Sequence, residues 1–219
     1  MIAARAVIFD MDGVLVDSGP HHRASWRALL KELGVEPKDS EFWRLTIGRP
    51  VEEALPLLVG RRLSSQEIAR YSKRKTDLFH QAADGRFVPV RGAVVFVRAL
   101  EARGVPRALA TSASPRSVTA VLEDLGLARE FPVVVTADDV DRGKPDPEVY
   151  LTAASRLGIA PRECVVFEDS LVGLEAARRA GMLPIGLTTA YTEAELRNGG
   201  AVKVLADFDG FTWERLLTP

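Results

Sequence analysis

The apolar residues of this chain fall into short runs, each ended by a polar turn and most followed by a stretch with helical spacing. The runs occupy 6–9, 107–111, 132–136, 164–167, 184–187 and 202–205. Runs this short, bounded by turn residues, predict strands. Helical spacing follows at 117–125, 147–157, 171–180 and 193–197. Gly104, Gly126, Gly158 and Gly181 each stand just past a helical pattern, where a left-handed terminal residue is favoured. Strands alternating with helices predict an α/β fold, a doubly wound parallel sheet with right-handed crossovers covering both faces. The near-continuous apolar character of 132–136 and 164–167 predicts strands buried on two sides.

One stretch breaks the alternation. From 18 to 85 the pattern is helical and holds no convincing strand. Trp26, Leu29, Leu30 and Leu33 give one apolar helix face. Ser64 and Glu67 make a capping box ahead of a helix carrying Ile68, Tyr71, Leu78 and Phe79. The expectation is a catalytic core of residues 1–17 and 86–219 with a helical cap, 18–85, inserted after the first strand. The joints would lie at 17–20 and 85–92. An insertion leaving the carboxyl end of a strand sits where open α/β sheets bind ligands, so it should act as a lid.

Composition narrows the classes. The 219 residues are 47% hydrophobic, enough to bury a sizeable core. Lys and Arg number 29 against 30 Asp and Glu, net −1, with no like-charge block, so nucleic-acid and membrane-surface binding lose weight. Cys164 is alone, which rules out an intrachain disulfide and suits a buried structural thiol. No apolar stretch approaches the ~20 residues of a membrane span, and the run at 6–9 is too short for a signal peptide. The expectation is a cytoplasmic monomer.

Four polar clusters sit at strand ends or in the loops beside them. Asp10 and Asp12 leave the first strand two residues apart. Thr111-Ser112-Ala113-Ser114 brings hydroxyls and backbone amides to a helix start marked by Ser114-Pro115, and such a start attracts phosphate. Gly143-Lys144-Pro145-Asp146-Pro147 carries a cation on a stiff loop, and Glu168-Asp169-Ser170 supplies two more acids. Together they offer oxygen ligands for Mg²⁺, a carboxylate nucleophile, a proton carrier and phosphate donors. Each alone is a common strand-ending turn; four on the ligand side of one sheet are not.

As a set, Asp10-Met11-Asp12-Gly13-Val14, Thr111-Ser112, Lys144-Pro145 and Glu168-Asp169-Ser170 with Gly173 resemble the haloacid dehalogenase-like superfamily, in its phosphatase and β-phosphoglucomutase-like branch. The resemblance covers almost the whole chain and implies a Rossmann-like core. It implies that Asp10 is the nucleophile, forming an aspartyl-phosphate, and that Asp12 is general acid and then base. It also implies Mg²⁺ held by Asp10, the Asp12 carbonyl and Asp169, with Glu168 acting directly or through water. Ser112 and Lys144 would hold phosphoryl oxygens. Dehalogenating relatives lack an acid at position 12 and phosphonate-cleaving ones carry Ala, so Asp12 favours phosphate esters, whose alkoxide needs a proton.

His22 and Lys75 align with a cap-hinge histidine and a cap lysine of β-phosphoglucomutases; the plainer reading is an exposed helix residue and a solvated charge run. Against a mutase, Val51 stands where those enzymes place an arginine for the second phosphate. Pro115-Arg116 replaces their Lys-Asn after Ser114. Arg49 and Arg116 are candidate replacements, and Ala113 and Ser114 complete the expected substrate-binding set. The favoured function is a phosphatase for small phosphorylated metabolites, sugar phosphates foremost, with the mutase second. A non-catalytic phosphoacceptor domain is the remaining alternative; such domains are smaller and lack both the insert and an acid like Asp12. Trp26, Trp43 and Trp213 read as packing residues.

Overall fold

The computed structural model describes residues 4–37 and 42–217. Residues 1–3 and 218–219 of the expected core, and 38–41 of the expected cap, lie outside these. Six parallel strands form one sheet in the order β3-β2-β1-β4-β5-β6. They are β1 (Ala6–Phe9), β2 (Arg107–Ala110), β3 (Val133–Val135), β4 (Cys164–Glu168), β5 (Leu183–Leu187) and β6 (Lys203–Leu205). The sheet runs outward from β1 through β2 in one direction and from β4 through β5 in the other. The chain therefore switches sides between β1 and β4, where doubly wound sheets open a crevice at the strands' carboxyl ends.

Alternation along the strands sorts two cores. Val7, Phe9, Val165 and Phe167 face one layer, and Ala6, Ile8, Cys164 and Val166 face the other. β1, β2 and β4 are buried throughout, as central strands must be. The 132–136 run differs from expectation. β3 is the sheet's edge strand, and only Val135 is fully buried. An apolar run identifies a strand without fixing its place in the order.

The paired strands β1 and β4 set Phe9 opposite Phe167, with ring centroids 5.3 Å apart and nearly parallel. Phe96 and Phe208 close around both rings. Contacts of this kind contribute about 0.5–1.5 kcal/mol each beyond area burial. They lock the two strand ends that carry Asp10 and Glu168, the residues immediately following.

Between β1 and β2 lie α1 (Gly19–Glu32), α2 (Val51–Val59), α3 (Ser65–Ala83) and α4 (Ala93–Ala102). The first three, with Phe42 from the segment between α1 and α2, share an apolar cluster that also holds Trp26, Leu29, Leu30, Ala54, Leu55 and Leu78. Ser64 and Glu67 form the capping box at the start of α3. The chain leaves and re-enters beside itself: Asp17 N–H donates to the Val88 carbonyl at 2.8 Å and Val90 N–H to Leu15 at 3.0 Å. Phe79 packs at this joint, stacked 5.8 Å from Phe87 and joined to the main core. Then follow α5 (Pro115–Asp124), α6 (Glu148–Leu157), α7 (Leu171–Arg179), α8 (Glu193–Asn198) and α9 (Trp213–Leu217). Among the described residues no helix is long and apolar enough to cross a membrane.

Candidate active site

Asp10 follows the last residue of β1, and its backbone N–H donates to the Phe167 carbonyl of β4 at 3.0 Å. Its Oδ1 accepts from Lys144 Nζ at 2.7 Å. Lys144 is 1% exposed and bridges at 2.8 Å to Glu168 Oε1. Burial works against its charge, but Asp10 and Glu168 outweigh this and hold the ammonium well above the usual lysine range. The loop of Gly143 to Pro147 delivers this cation just ahead of α6, braced where Asp146 N–H meets the Gly143 carbonyl at 2.9 Å.

Asp12 lies in the following turn. Its Oδ1 accepts from the Ser18 hydroxyl and faces His22 Nε2 at 3.0 Å. Lys75 Nζ reaches His22 Nδ1 at 2.6 Å. An ammonium only donates, so Nδ1 is the acceptor, and Nε2–H is the donor to Asp12. Burial would raise the Asp12 carboxyl, yet His22, Ser18 and Lys75 bring it down to about 2. Burial lowers Lys75 to about 8. Burial and the Lys75 charge also lower His22, against the opposing pull of Asp12.

Lys75 is thus not on a solvated face. It is 6% exposed, with its ammonium 5.6 Å from the Trp26 ring centroid and 5.2 Å from that of Phe79.

Three carboxylates, Asp10, Glu168 and Asp169, each place an oxygen within 4.8 Å of the others, and all three are buried. Burial, with Glu168 and Asp12 beside it, pushes Asp10 up to about 7 despite Lys144. Burial and the surrounding acids push Asp169 well above the carboxylate range. One lysine does not neutralise so much buried negative charge, and an all-oxygen donor set suits a hard divalent cation. The residues fit Mg²⁺. Two glycines make room for the cluster. A side chain at Gly13, whose φ is +71°, would run into Asp169, and one at Gly173 would run into Glu168.

A cavity of about 510 Å³ opens between the strand ends and the helical insert. Asp10, Asp12, Lys144, Asp169, Ser112, Ala113, Ser114, His22, Lys75, Arg49 and Arg116 all line it. Of the sequence candidates, only Glu168 lies behind the lining, fully buried. Ser112 Oγ donates to the Gly48 carbonyl of the insert at 3.4 Å. Ser114 caps α5, and the Ala113 N–H turns back to Thr111 Oγ1 at 3.1 Å. Arg49 stands in the turn before α2, close enough to Glu53 to oppose the upward shift that burial gives it. Arg116 is committed to Asp77 of α3 at 2.6 Å.

Sequence reasoning passed over Ser18, Tyr150 and Thr189. Thr189 Oγ1 donates to the Gly13 carbonyl at 2.7 Å, beside Asp169. Tyr150 donates to Glu168 Oε1 at 3.0 Å. Trp43 packs against the apolar cluster of the insert, as expected, and like Trp26 it also borders the cavity. The Arg23 guanidinium lies 5.2 Å from the Trp43 ring centroid. Trp26 and Trp213 pack against the insert and the main core respectively.

Fold and site together define an α/β enzyme of phosphoryl transfer. The family model for haloacid dehalogenase-like hydrolases matches residues 4–181, and the chain belongs to that family, as a phosphoric monoester hydrolase of its phosphatase branch. It is 38% identical to the phosphorylated carbohydrates phosphatase of Thermotoga maritima, over 91% of this chain and 93% of that one. It is 33% identical to the validoxylamine A 7'-phosphate phosphatase of Streptomyces hygroscopicus subsp. limoneus, over 97% and 98%. Among solved structures, a family IA, variant 3 hydrolase from Entamoeba histolytica superposes with a TM-score of 0.88 at 27% identity, covering 97% of each chain.

Proposed function

We propose that this enzyme releases phosphate from small phosphorylated metabolites, with sugar phosphates as the leading class, through an aspartyl-phosphate on Asp10. The observation that carries the reading is the Lys144–Asp10 contact at 2.7 Å, set beside Asp12 on one cavity wall. A buried carboxylate attacks a phosphate dianion only if positive charge surrounds both, and Lys144 supplies part of it. Asp10, the Asp12 carbonyl and Asp169 would hold Mg²⁺, with Glu168 acting directly or through water. When bound, that ion adds charge neutralisation of the phosphoryl oxygens.

In the first half-reaction an Asp10 oxygen bonds to phosphorus, and the bond to the leaving alkoxide breaks. Asp12 gives that oxygen its proton. In the second, Asp12 takes a proton from water as the water oxygen bonds to phosphorus, which frees phosphate and restores Asp10. His22 and Ser18 hold the Asp12 oxygen Oδ1, and among the described residues no hydrogen bond reaches Oδ2. Oδ2 is therefore the proton-carrying atom. The ionised Asp12 is ready as base, and a phosphate dianion brought beside it raises its proton affinity for the acid step. Ser112 and Lys144 orient the phosphoryl group.

The helical insert, 18–85, acts as a cap domain over a core of 1–17 and 86–219. Its links to the core support closure over the substrate: Arg44 pairs with Glu195 at 2.8 Å and Asp77 with Arg116 at 2.6 Å. Excluding bulk water strengthens the electrostatics beneath. Arg49, Ala113, Ser114 and Arg116 shape the entrance, and the protein works as a cytoplasmic monomer. A panel of phosphorylated metabolites assayed for free phosphate, with Mg²⁺ and with EDTA, tests the reading. Metal-dependent release is expected, strongest for sugar phosphates; no release from any monoester would refute it.

A further inference from the structure

We infer that Tyr150 is a positioning residue for this reaction: its hydroxyl, bonded to Glu168, fixes where Lys144 meets Asp10. The inference rests on the roles of Asp10 and Lys144 given above. Tyr150 sits in the first turn of α6, six residues beyond Lys144, and is fully buried. Its hydroxyl donates to Glu168 Oε1 at 3.0 Å, and the same oxygen receives Lys144 Nζ at 2.8 Å. Glu168 Oε2 accepts the Ser170 N–H at 2.7 Å. The Lys144 ammonium also lies 4.8 Å from the centroid of the Tyr150 ring. Asp10 and Lys144 open onto the cavity, whereas Glu168 and Tyr150 stand behind them with no exposure.

Lys144 is therefore suspended between two carboxylates, and its position depends on how strongly each one draws it. A carboxylate oxygen offers about two acceptor directions. The phenol fills one on Oε1 and leaves the other for the ammonium, so Lys144 stays within reach of Asp10. Without the hydroxyl, Glu168 is the less satisfied partner. It would draw Lys144 inward, away from Asp10 and from the phosphoryl oxygens. Buried charged hydrogen bonds of this sort are strong enough to move a flexible lysine. The loss falls on the chemical step, because the groups of the insert that bind the rest of the substrate are untouched.

The test measures kcat and KM for p-nitrophenyl phosphate in excess Mg²⁺, with thermal melting alongside. The proteins compared are the unmodified enzyme, Tyr150→Phe, Glu168→Gln and the double variant. Tyr150→Phe should melt within a few degrees of the parent, with kcat down about tenfold and KM changed less than about twofold. In the Glu168→Gln background the same change should cost less than about twofold, because the hydroxyl acts through that carboxylate. Four outcomes overturn the inference: an unchanged kcat, a loss confined to KM, the full loss repeated in the Glu168→Gln background, or a Tyr150→Phe protein that does not fold. If the unmodified enzyme releases no phosphate, the parent reading fails first, and that is visible before any variant is compared.

Discussion

Arg116 of α5 donates to Asp77 of α3 at 2.6 Å, joining the sheet side of the cavity to the helical insert. Asp77 is shared with Lys73 of its own helix at 2.9 Å. A mutase has to grip the second phosphate of a bisphosphate intermediate with cationic or planar donors. Here Arg116 is engaged elsewhere, and Val51 opens α2 where such a donor would be needed. Phosphate release from monophosphates should therefore exceed conversion of β-glucose 1-phosphate to glucose 6-phosphate. Val51→Arg combined with Pro115→Lys and Arg116→Asn should move the balance toward isomerisation. Efficient isomerisation by the unmodified protein, with little free phosphate, would contradict this account.

Replacing Asp10 by Asn should separate function from stability. The amide keeps the shape and loses the nucleophile, so turnover should fall roughly a thousandfold or more. It also removes one of three buried carboxylates facing a single lysine. Metal-free Asp10→Asn should accordingly melt a few degrees higher than the parent. A lower melting temperature would mean that the Lys144–Asp10 pair stabilises more than the crowded charge costs.

Asp12→Ala should discriminate among leaving groups. Sugar phosphates depart as poor alkoxides and need the proton, whereas p-nitrophenyl phosphate and acetyl phosphate do not. The loss for sugar phosphates should exceed that for the activated substrates by roughly 10²-fold. Equal losses would assign Asp12 a structural role only.

Lys75→Met keeps a long apolar stem against Trp26 and Phe79 while removing the donor to His22 Nδ1. Imidazole is then free to take the other tautomer, and Asp12 loses its fixed partner. We expect kcat to fall about tenfold with the melting temperature little changed, since the methionine refills the site. An unchanged kcat would separate this lysine from the chemistry.

How far the sequence reveals this site depends on where each residue sits. Asp10 and Asp169 directly follow apolar strands, so pattern alone places them at the sheet's carboxyl edge, whereas Lys144 is marked by the stiff loop at 143–147 ahead of α6. The helices after β2, β3, β4 and β5 are legible within two residues at each end, because caps such as Ser114 and Gly158 punctuate them. Lys75 is less legible, since Lys73-Arg74-Lys75 looks like a solvated run. Its spacing from Tyr71, Leu78 and Phe79 puts it on the apolar face of α3, a signal that charge composition hides. Tyr150 shares the buried face of α6 with Val149, Ala153 and Ala154, and so reads as core. The clue is its hydroxyl, which must find a partner once buried. Ser18 and Thr189 carry no such signal; only the folded turn brings them to Asp12 and Gly13. The edge position of β3 is equally silent, because strand order is a long-range property.

The central claim is that phosphate passes through Asp10, and chemical trapping tests it most directly. Enzyme mixed with excess substrate is quenched within one turnover, reduced with borohydride and digested, and the peptide containing position 10 is read by mass spectrometry. An acyl phosphate is reduced to the alcohol, so homoserine should replace aspartate at position 10, and only when substrate was present. Unmodified Asp10 from an enzyme shown to be turning over under the same conditions, or homoserine appearing at Asp12 or Asp169 instead, would contradict the account.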